Sequence, residues 1–203
     1  QESRGLGDVY KRQTLQDAFV HIVHGDAEND AFNRLVLTAG LAWRDVALLR
    51  AYARYLKQIR LGFDLGYIAN TLLNHPDIAR ELVRLFKTRF YLARKLNADD
   101  LHDKQHKLEQ AILGALDNVA VLNEDRILRR YLDLIKATLR TNFYQPDASG
   151  ENKGYFSFKF DPSAITDLPR PVPKFEIFVY SPRVEGVHLS LIHISEPTRL
   201  LSI

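Results

Sequence analysis

The sequence predicts a mainly α-helical segment, residues 14–141, followed by the first β-strands of an incomplete α/β domain, residues 142–188. Apolar residues recur every three or four positions through the first segment, which is the spacing of one helix face. After Thr141 this period gives way to short aromatic and β-branched runs between prolines, a pattern typical of strands. The 203 residues are 46% hydrophobic and 26% charged, a composition that indicates a globular domain.

Two helices are predicted in the first third of the chain. Residues 14–30 are interpreted as a short lead before the first predicted helix. Asp30 is a candidate N-cap for a short helix that ends at Gly40. From Arg44 to Arg60 the apolar residues keep helical spacing, and this predicts a helix whose charged residues, Arg50 among them, lie off the apolar face.

Proline and asparagine residues set the limits of the later helices. Asn97 and Asn123 are candidate N-caps, and Pro76 suits the first turn of a helix. The link before Asn123 is short, so the last two helices are expected to pack as an antiparallel pair. The predicted helices run from Gly66 to Asn74, from Pro76 to about Phe90, from about Leu101 to Val119, and from Asn123 to about Leu139.

The strands are predicted after a loop at residues 142–154 that is rich in Pro, Asp, Ser and Gly. Tyr155–Phe160 and Phe175–Tyr180 alternate aromatic or branched residues with others, as half-buried strands do. A glycine-centred turn at Val184–Val187 is expected to lead into a second short apolar run and so complete a hairpin. Without the rest of their sheet, these strands are expected to leave edges and an apolar face uncovered.

The two ends of the chain are interpreted as translated adapter sequence. Ser3–Gln13 can be encoded by a DNA sequence whose reverse complement encodes Leu189–Arg199 letter for letter. Two unrelated protein segments are not expected to share one DNA sequence on opposite strands. That DNA resembles the transposon-end adapter of a common sequencing library. We therefore expect residues 1–13 and 189–203 to be artefacts that flank a piece of a longer chain.

Composition argues against several classes of partner. The 28 Lys and Arg residues exceed the 25 Asp and Glu residues by only three and are interspersed with them, so neither a nucleic-acid partner nor an anionic membrane surface is expected. No apolar run reaches the roughly 20 residues that a membrane-spanning helix needs. The chain has no Cys, which excludes disulfides and makes a cytoplasmic location the default expectation.

Local motifs give no catalytic, cofactor-binding or metal-ligating residue. His21 and His24 are three positions apart but lack further ligands at a recognisable spacing. His102 and His106 lie at i and i+4 of a predicted helix, but no Glu stands between them to act as the base of a zinc hydrolase, and a solvated surface explains them better. There is no glycine-rich phosphate loop and no nucleophile elbow in the sequence.

Long stretches of the native segment resemble one family, the large multidomain NAD-specific glutamate dehydrogenases of bacteria. The resemblance is carried by FEIFVYSPRVEGVH at residues 175–188 with YFSFKFDPSAITDLPRPVPK before it, by DAFNRLVLTAGLAWRDVALLRAYARYLKQ at residues 30–58, and by HPDIARELVRLF at residues 75–86. These strings follow the order of the family. The resemblance implies a helical linker region followed by the start of an α/β dehydrogenase substrate domain.

The resemblance also implies what the parent protein does. Such enzymes convert L-glutamate to 2-oxoglutarate and ammonia with hydride transfer to NAD, and a homo-oligomer is expected. The catalytic and NAD-binding residues of the family are not expected in this segment. Arg183 and Glu185 are candidates for positioning the hairpin next to the active site, although a solvated turn would also explain them. The alternative function is a non-enzymatic helical module for interaction or oligomerisation.

Overall fold

A computed structural model describes residues 2–91, 97–166, 168 and 172–190 of the chain. In this part of the chain a helical layer packs on one face of a small antiparallel sheet, so the predicted fold class is confirmed. The helices are α1 (Glu2–His24), α2 (Leu35–Thr38), α3 (Trp43–Gln58), α4 (Leu65–Asn74), α5 (Pro76–Phe90), α6 (Ala98–Leu116) and α7 (Leu122–Ala137). The strands are β1 (Thr138–Thr141), β2 (Phe156–Phe160), β3 (Phe175–Tyr180) and β4 (Glu185–Ser190).

The predicted lead at residues 14–30 is wrong for its first part, because residues 14–24 belong to α1. This helix has no apolar stripe that periodicity could have shown. Leu15, Phe19 and Val23 are all exposed, whereas Ala18 is buried. No proline interrupts the stretch, and the helix persists until the chain turns at Gly25.

Three of the predicted helix limits, at Asp30, Gly40 and Asn97, are confirmed by the local geometry. Asp30 accepts a hydrogen bond from the Phe32 N–H at 3.0 Å and caps a 3₁₀ turn at Ala31–Arg34, which continues into α2. Gly40 has a φ of +65°, the left-handed conformation that glycine adopts without strain after a helix. Asn97 accepts from the Asp100 N–H at 2.7 Å at the start of α6.

Asn123 is not an N-cap, contrary to the prediction, because α7 already begins at Leu122. The antiparallel packing of α6 and α7 is confirmed by two ion pairs that run in opposite chain directions. Glu109 pairs with Lys136 at 3.1 Å, and Asp117 pairs with Arg129 at 3.3 Å.

The sheet is a meander in the order β1-β2-β3-β4, with every neighbouring pair antiparallel. β1 was not predicted, since its four residues continue directly from α7. The hairpin of β3 and β4 is confirmed, but its turn lies at Ser181–Val184, three residues earlier than expected. There the Ser181 N–H donates to the Val184 carbonyl at 2.8 Å. Gly186 lies within β4, opposite Val179.

Helices and sheet share one aromatic core. Phe158, Phe160 and Phe178 on the inner face of the sheet are fully buried. Tyr52 of α3 lies 5.0 Å from the Phe158 ring, and Tyr55 lies 4.5 Å from the Phe160 ring, measured between centroids. The inner face is therefore covered, and the expectation of an uncovered apolar face is wrong for this side of the sheet.

The domain boundary placed at residues 142–154 stays a prediction, as does the adapter origin of residues 1–13 and 189–203. Residues 191–203 lie outside the described part. Among the helices that the structure describes, none combines the length and apolar character needed to cross a membrane.

Candidate functional site

The two residues predicted to position the hairpin lie at different places on it. Arg183 is in the turn, where its side chain is exposed and its backbone N–H donates to Ser181 Oγ at 3.3 Å. Glu185 begins β4 and faces α3. It accepts a hydrogen bond from Gln58 Nε2 at 2.9 Å, and its carboxylate lies 3.7 Å from Arg54 Nε. Glu185 thus ties the hairpin to a helix, while Arg183 remains at the solvent side of the turn.

A second carboxylate, Glu28, meets the same hairpin from the loop after α1. Glu28 Oε1 accepts from the Tyr180 hydroxyl at 2.9 Å, and Glu28 Oε2 forms an ion pair with Arg54 Nη2. Tyr180 is the last residue of β3 and pairs in register with Glu185. We call the five residues Glu28, Arg54, Gln58, Tyr180 and Glu185 the hairpin anchor.

Arg50 fixes the loop that carries Glu28. This side chain is fully buried, and it donates to both carboxylate oxygens of Asp30 and to Asn33 Oδ1, each at 2.7 Å. Burial alone lowers the pKa of Arg50, but the hydrogen bonds and charge of Asp30 outweigh burial, so the pKa is raised. Arg50 is buried, whereas the Asp30 side chain is 30% exposed. Breaking a fully buried pair costs about 3–5 kcal/mol, which is an upper bound for losing Asp30, and the pair holds the loop against α3.

Glu176 places a carboxyl group on the otherwise apolar inner face of β3. Only 3% of the residue is exposed, and its Oε2 accepts from the Tyr55 hydroxyl at 2.8 Å. Burial raises the pKa of Glu176 above its usual value, and the hydrogen bond from Tyr55 offsets this only in part. Burial and the nearby Glu176 carboxylate also raise the pKa of Tyr55, so its hydroxyl keeps its proton and remains a donor.

The histidines considered as metal ligands do not form a metal centre. His21 pairs with Asp26 at 3.0 Å and stacks on Trp43 with 3.9 Å between ring centroids. His24, His102 and His106 are exposed. Within the described ranges, no group of three or more His, Cys, Asp or Glu side chains is close enough to hold a metal ion.

A cleft beside Trp43 and Arg44 also lacks a recognisable reaction centre. It encloses about 500 Å³ between α1, α3 and the loop at residues 143–155, and Trp43 and Arg44 line it. The Arg44 guanidinium lies between the Phe143 and Phe156 rings, 4.9 and 4.8 Å from their centroids, and donates to the Phe143 and Lys153 carbonyls. These contacts indicate that Arg44 braces the loop.

The sequence did not indicate Glu28, Tyr180 or the burial of Arg50. Arg50 was expected off the apolar face because it is charged, and the structure corrects this. One local pattern could have suggested the pairing: Arg50 and Arg54 are four residues apart on one helix face, and the preceding loop carries two acids, Glu28 and Asp30. The contact with β3 spans 152 positions and has no local pattern.

Comparison with protein families gives two matches along the chain. Residues 27–92 match "Glutamate dehydrogenase, helical motif 3", and residues 111–197 match "Bacterial NAD-glutamate dehydrogenase, catalytic domain". The hairpin anchor therefore connects the two matched regions, because Glu28, Arg54 and Gln58 lie in the first and Tyr180 and Glu185 lie in the second.

Three curated relatives carry the name NAD-specific glutamate dehydrogenase. The chain is 86% identical to that of Pseudomonas aeruginosa over 177 residues, 56% identical to that of Halomonas elongata over 173 residues, and 42% identical to that of Mycobacterium tuberculosis over 174 residues. These alignments cover 87%, 85% and 85% of this chain but only 11%, 10% and 11% of the relatives. The chain belongs to the bacterial NAD-specific glutamate dehydrogenases, of which it spans a segment that runs from helical motif 3 into the catalytic domain.

Proposed function

We propose that the protein containing this segment is an NAD-dependent oxidoreductase that converts L-glutamate to 2-oxoglutarate and ammonia. The observation that carries the proposal is the 86% identity over 177 residues to the enzyme of Pseudomonas aeruginosa. The match to the catalytic domain at residues 111–197 supports the same activity. A purely helical interaction module, the alternative considered from the sequence, is less well supported because both matched regions are named for glutamate dehydrogenases.

We infer that the segment contributes structure rather than reacting groups. The described residues do not form a Rossmann site for NAD: their sheet is an antiparallel meander, whereas that site is built on a glycine-rich turn between a parallel strand and a helix. NAD bound elsewhere in the parent protein would accept the hydride that glutamate gives up. The segment's part is to fix the β3–β4 hairpin on α3. In this role Glu185 anchors the start of β4 and Arg183 projects from the turn.

The proposal is tested on the full-length dehydrogenase that carries this segment. Purified enzyme is incubated with L-glutamate and either NAD or NADP, and formation of the reduced cofactor is followed by absorbance. We expect glutamate-dependent reduction of NAD, with 2-oxoglutarate and ammonia as products. Absence of turnover with NAD, or equal turnover with NADP, would contradict the proposed activity or its cofactor preference.

Homo-oligomeric assembly and a cytoplasmic location belong to the same proposal. They are supported by the family resemblance, and the described helices include no membrane span. Light scattering of the full-length enzyme tests the first of these: a multiple of the monomer mass is expected, and a monomeric mass at assay concentration would contradict it.

A further inference from the structure

We propose that Glu28 is a positioning residue of the dehydrogenase. It holds the catalytic-domain hairpin in a fixed position against the helical region. This inference rests on the proposed function, since it assigns Glu28 an effect on the turnover of glutamate. Glu28 lies between α1 and the 3₁₀ turn, near the start of the match to helical motif 3. It is not expected to touch substrate.

Glu28 is fixed at both its backbone and its side chain. Its carbonyl oxygen accepts from Asn33 Nδ2 at 2.9 Å and from Arg50 Nη2 at 3.3 Å. The buried Arg50 therefore fixes the position of the loop on α3. Its carboxylate is 19% exposed and uses one oxygen for Arg54 and the other for Tyr180. A charge-assisted hydrogen bond in such a shielded place is stronger than one in water.

The two partners of Glu28 act on both strands of the hairpin. Tyr180 ends β3, and Arg54 lies 3.7 Å from the Glu185 carboxylate at the start of β4. These two strand ends enclose the turn that carries Arg183. Without the Glu28 carboxylate, Arg54 would keep only the longer contact with Glu185, and Tyr180 would lose the acceptor of its hydroxyl. Among the described contacts of the anchor, the turn would then be held on α3 by the Gln58–Glu185 hydrogen bond and the longer Arg54–Glu185 contact, and it would shift more easily.

The main test uses four variants of the full-length dehydrogenase. Glu28→Ala removes both carboxylate oxygens, Tyr180→Phe removes only the hydroxyl, and the double variant removes both groups. Tyr131→Phe is the matched control, because Tyr131 is a fully buried tyrosine whose hydroxyl donates at 2.9 Å to the Leu49 carbonyl, away from the hairpin. For each variant, kcat and KM for glutamate are measured together with the melting temperature.

We expect Glu28→Ala and Tyr180→Phe each to lower kcat/KM by roughly threefold or more, and the double variant to fall little below Glu28→Ala, because Tyr180 has already lost its acceptor in that variant. Tyr131→Phe is expected to lower the melting temperature while kcat and KM stay as in the wild type. Kinetic parameters of Glu28→Ala and Tyr180→Phe that match those of Tyr131→Phe, or losses that multiply fully in the double variant, would overturn the proposal.

A second measurement tests the role of Glu28 without an activity assay. Amide hydrogen exchange of Glu185–His188 in the full-length protein is expected to be faster in Glu28→Ala than in the wild type and unchanged in Tyr131→Phe. Unchanged exchange in Glu28→Ala would overturn the role of Glu28 whatever the enzyme's activity. Failure of the proposed function would instead be seen as missing NAD reduction by the wild type.

Discussion

Arg50 and Glu176 are both buried and ionisable, but they differ in the partners that their side chains have. Arg50 forms two hydrogen bonds and an ion pair with the Asp30 carboxylate, and these contacts favour the charged form of Arg50. Glu176 has only the neutral hydroxyl of Tyr55, and the pKa of its carboxyl is raised by burial. Arg50 fixes a loop, whereas Glu176 is expected to make the stability of the sheet depend on pH.

The Glu176 carboxyl leads to a prediction about pH. Its folded-state pKa lies above that of the unfolded chain, so the folded protein holds a proton that the unfolded chain releases from about pH 4.3 upward. The free energy of unfolding therefore falls as the pH rises through the window between the two pKa values. Glu176→Gln lacks this titration and keeps an acceptor for Tyr55. Its stability relative to the wild type should increase from pH 4 to pH 7, by about 1.4 kcal/mol for each pH unit of that window.

Urea unfolding of the wild type and of Glu176→Gln at the two pH values gives the comparison. Glu151→Gln is the control, because Glu151 is exposed and its replacement should leave the pH dependence close to that of the wild type. An equal stability difference between Glu176→Gln and the wild type at both pH values would contradict this assignment.

At the scale of elements, the sequence predicted those whose signal is local. Asp30, Pro76 and Asn97 lie at helix starts because the side chain or ring of each satisfies a geometric need within a few residues. Strands β2 and β3 followed from aromatic alternation. By contrast, α1 lacks an apolar face and β1 is a four-residue continuation of α7. Neither element shows a hydrophobic periodicity from which it could be predicted.

The candidate site was predictable only in part, for the same physical reason. Glu185 was singled out because it lies in a recognisable hairpin, but its partners on α3 are more than 100 positions away in the chain. Glu28 and Tyr180 meet across 152 positions, and only the packing of helices on the sheet brings them together. No pattern of spacing within one element could reveal that contact.

The order of the strands gives a prediction about local stability. β3 has hydrogen-bonded neighbours on both sides, and its inner residues Phe178 and Tyr180 are buried against the helices. β4 is hydrogen-bonded to β3 on one side within the described chain. Amide hydrogen exchange of the 203-residue chain should therefore be slower across Phe175–Tyr180 than across Glu185–Ser190. Equal rates in the two strands would indicate that the sheet opens as one unit or is not formed.

At the scale of the whole molecule, the helical region and the sheet form a single packed body. The aromatic core joins α3 to β2 and β3, and the hairpin anchor joins the two regions matched by the glutamate dehydrogenase families. The aromatic core and the hairpin anchor are the contacts expected of a segment that holds part of a catalytic domain in place. It does not bring together a nucleophile, a base and a cofactor cradle among the described residues.

The central claim, that this segment braces the dehydrogenase without performing its chemistry, is tested most directly by assaying the 203-residue chain alone. The purified chain is first shown to be folded by circular dichroism, and NADH formation from L-glutamate and NAD is then followed by absorbance beside the full-length enzyme. We predict no glutamate-dependent NADH formation by the folded chain at concentrations where the full-length enzyme turns over. Measurable turnover by the chain alone would contradict the account.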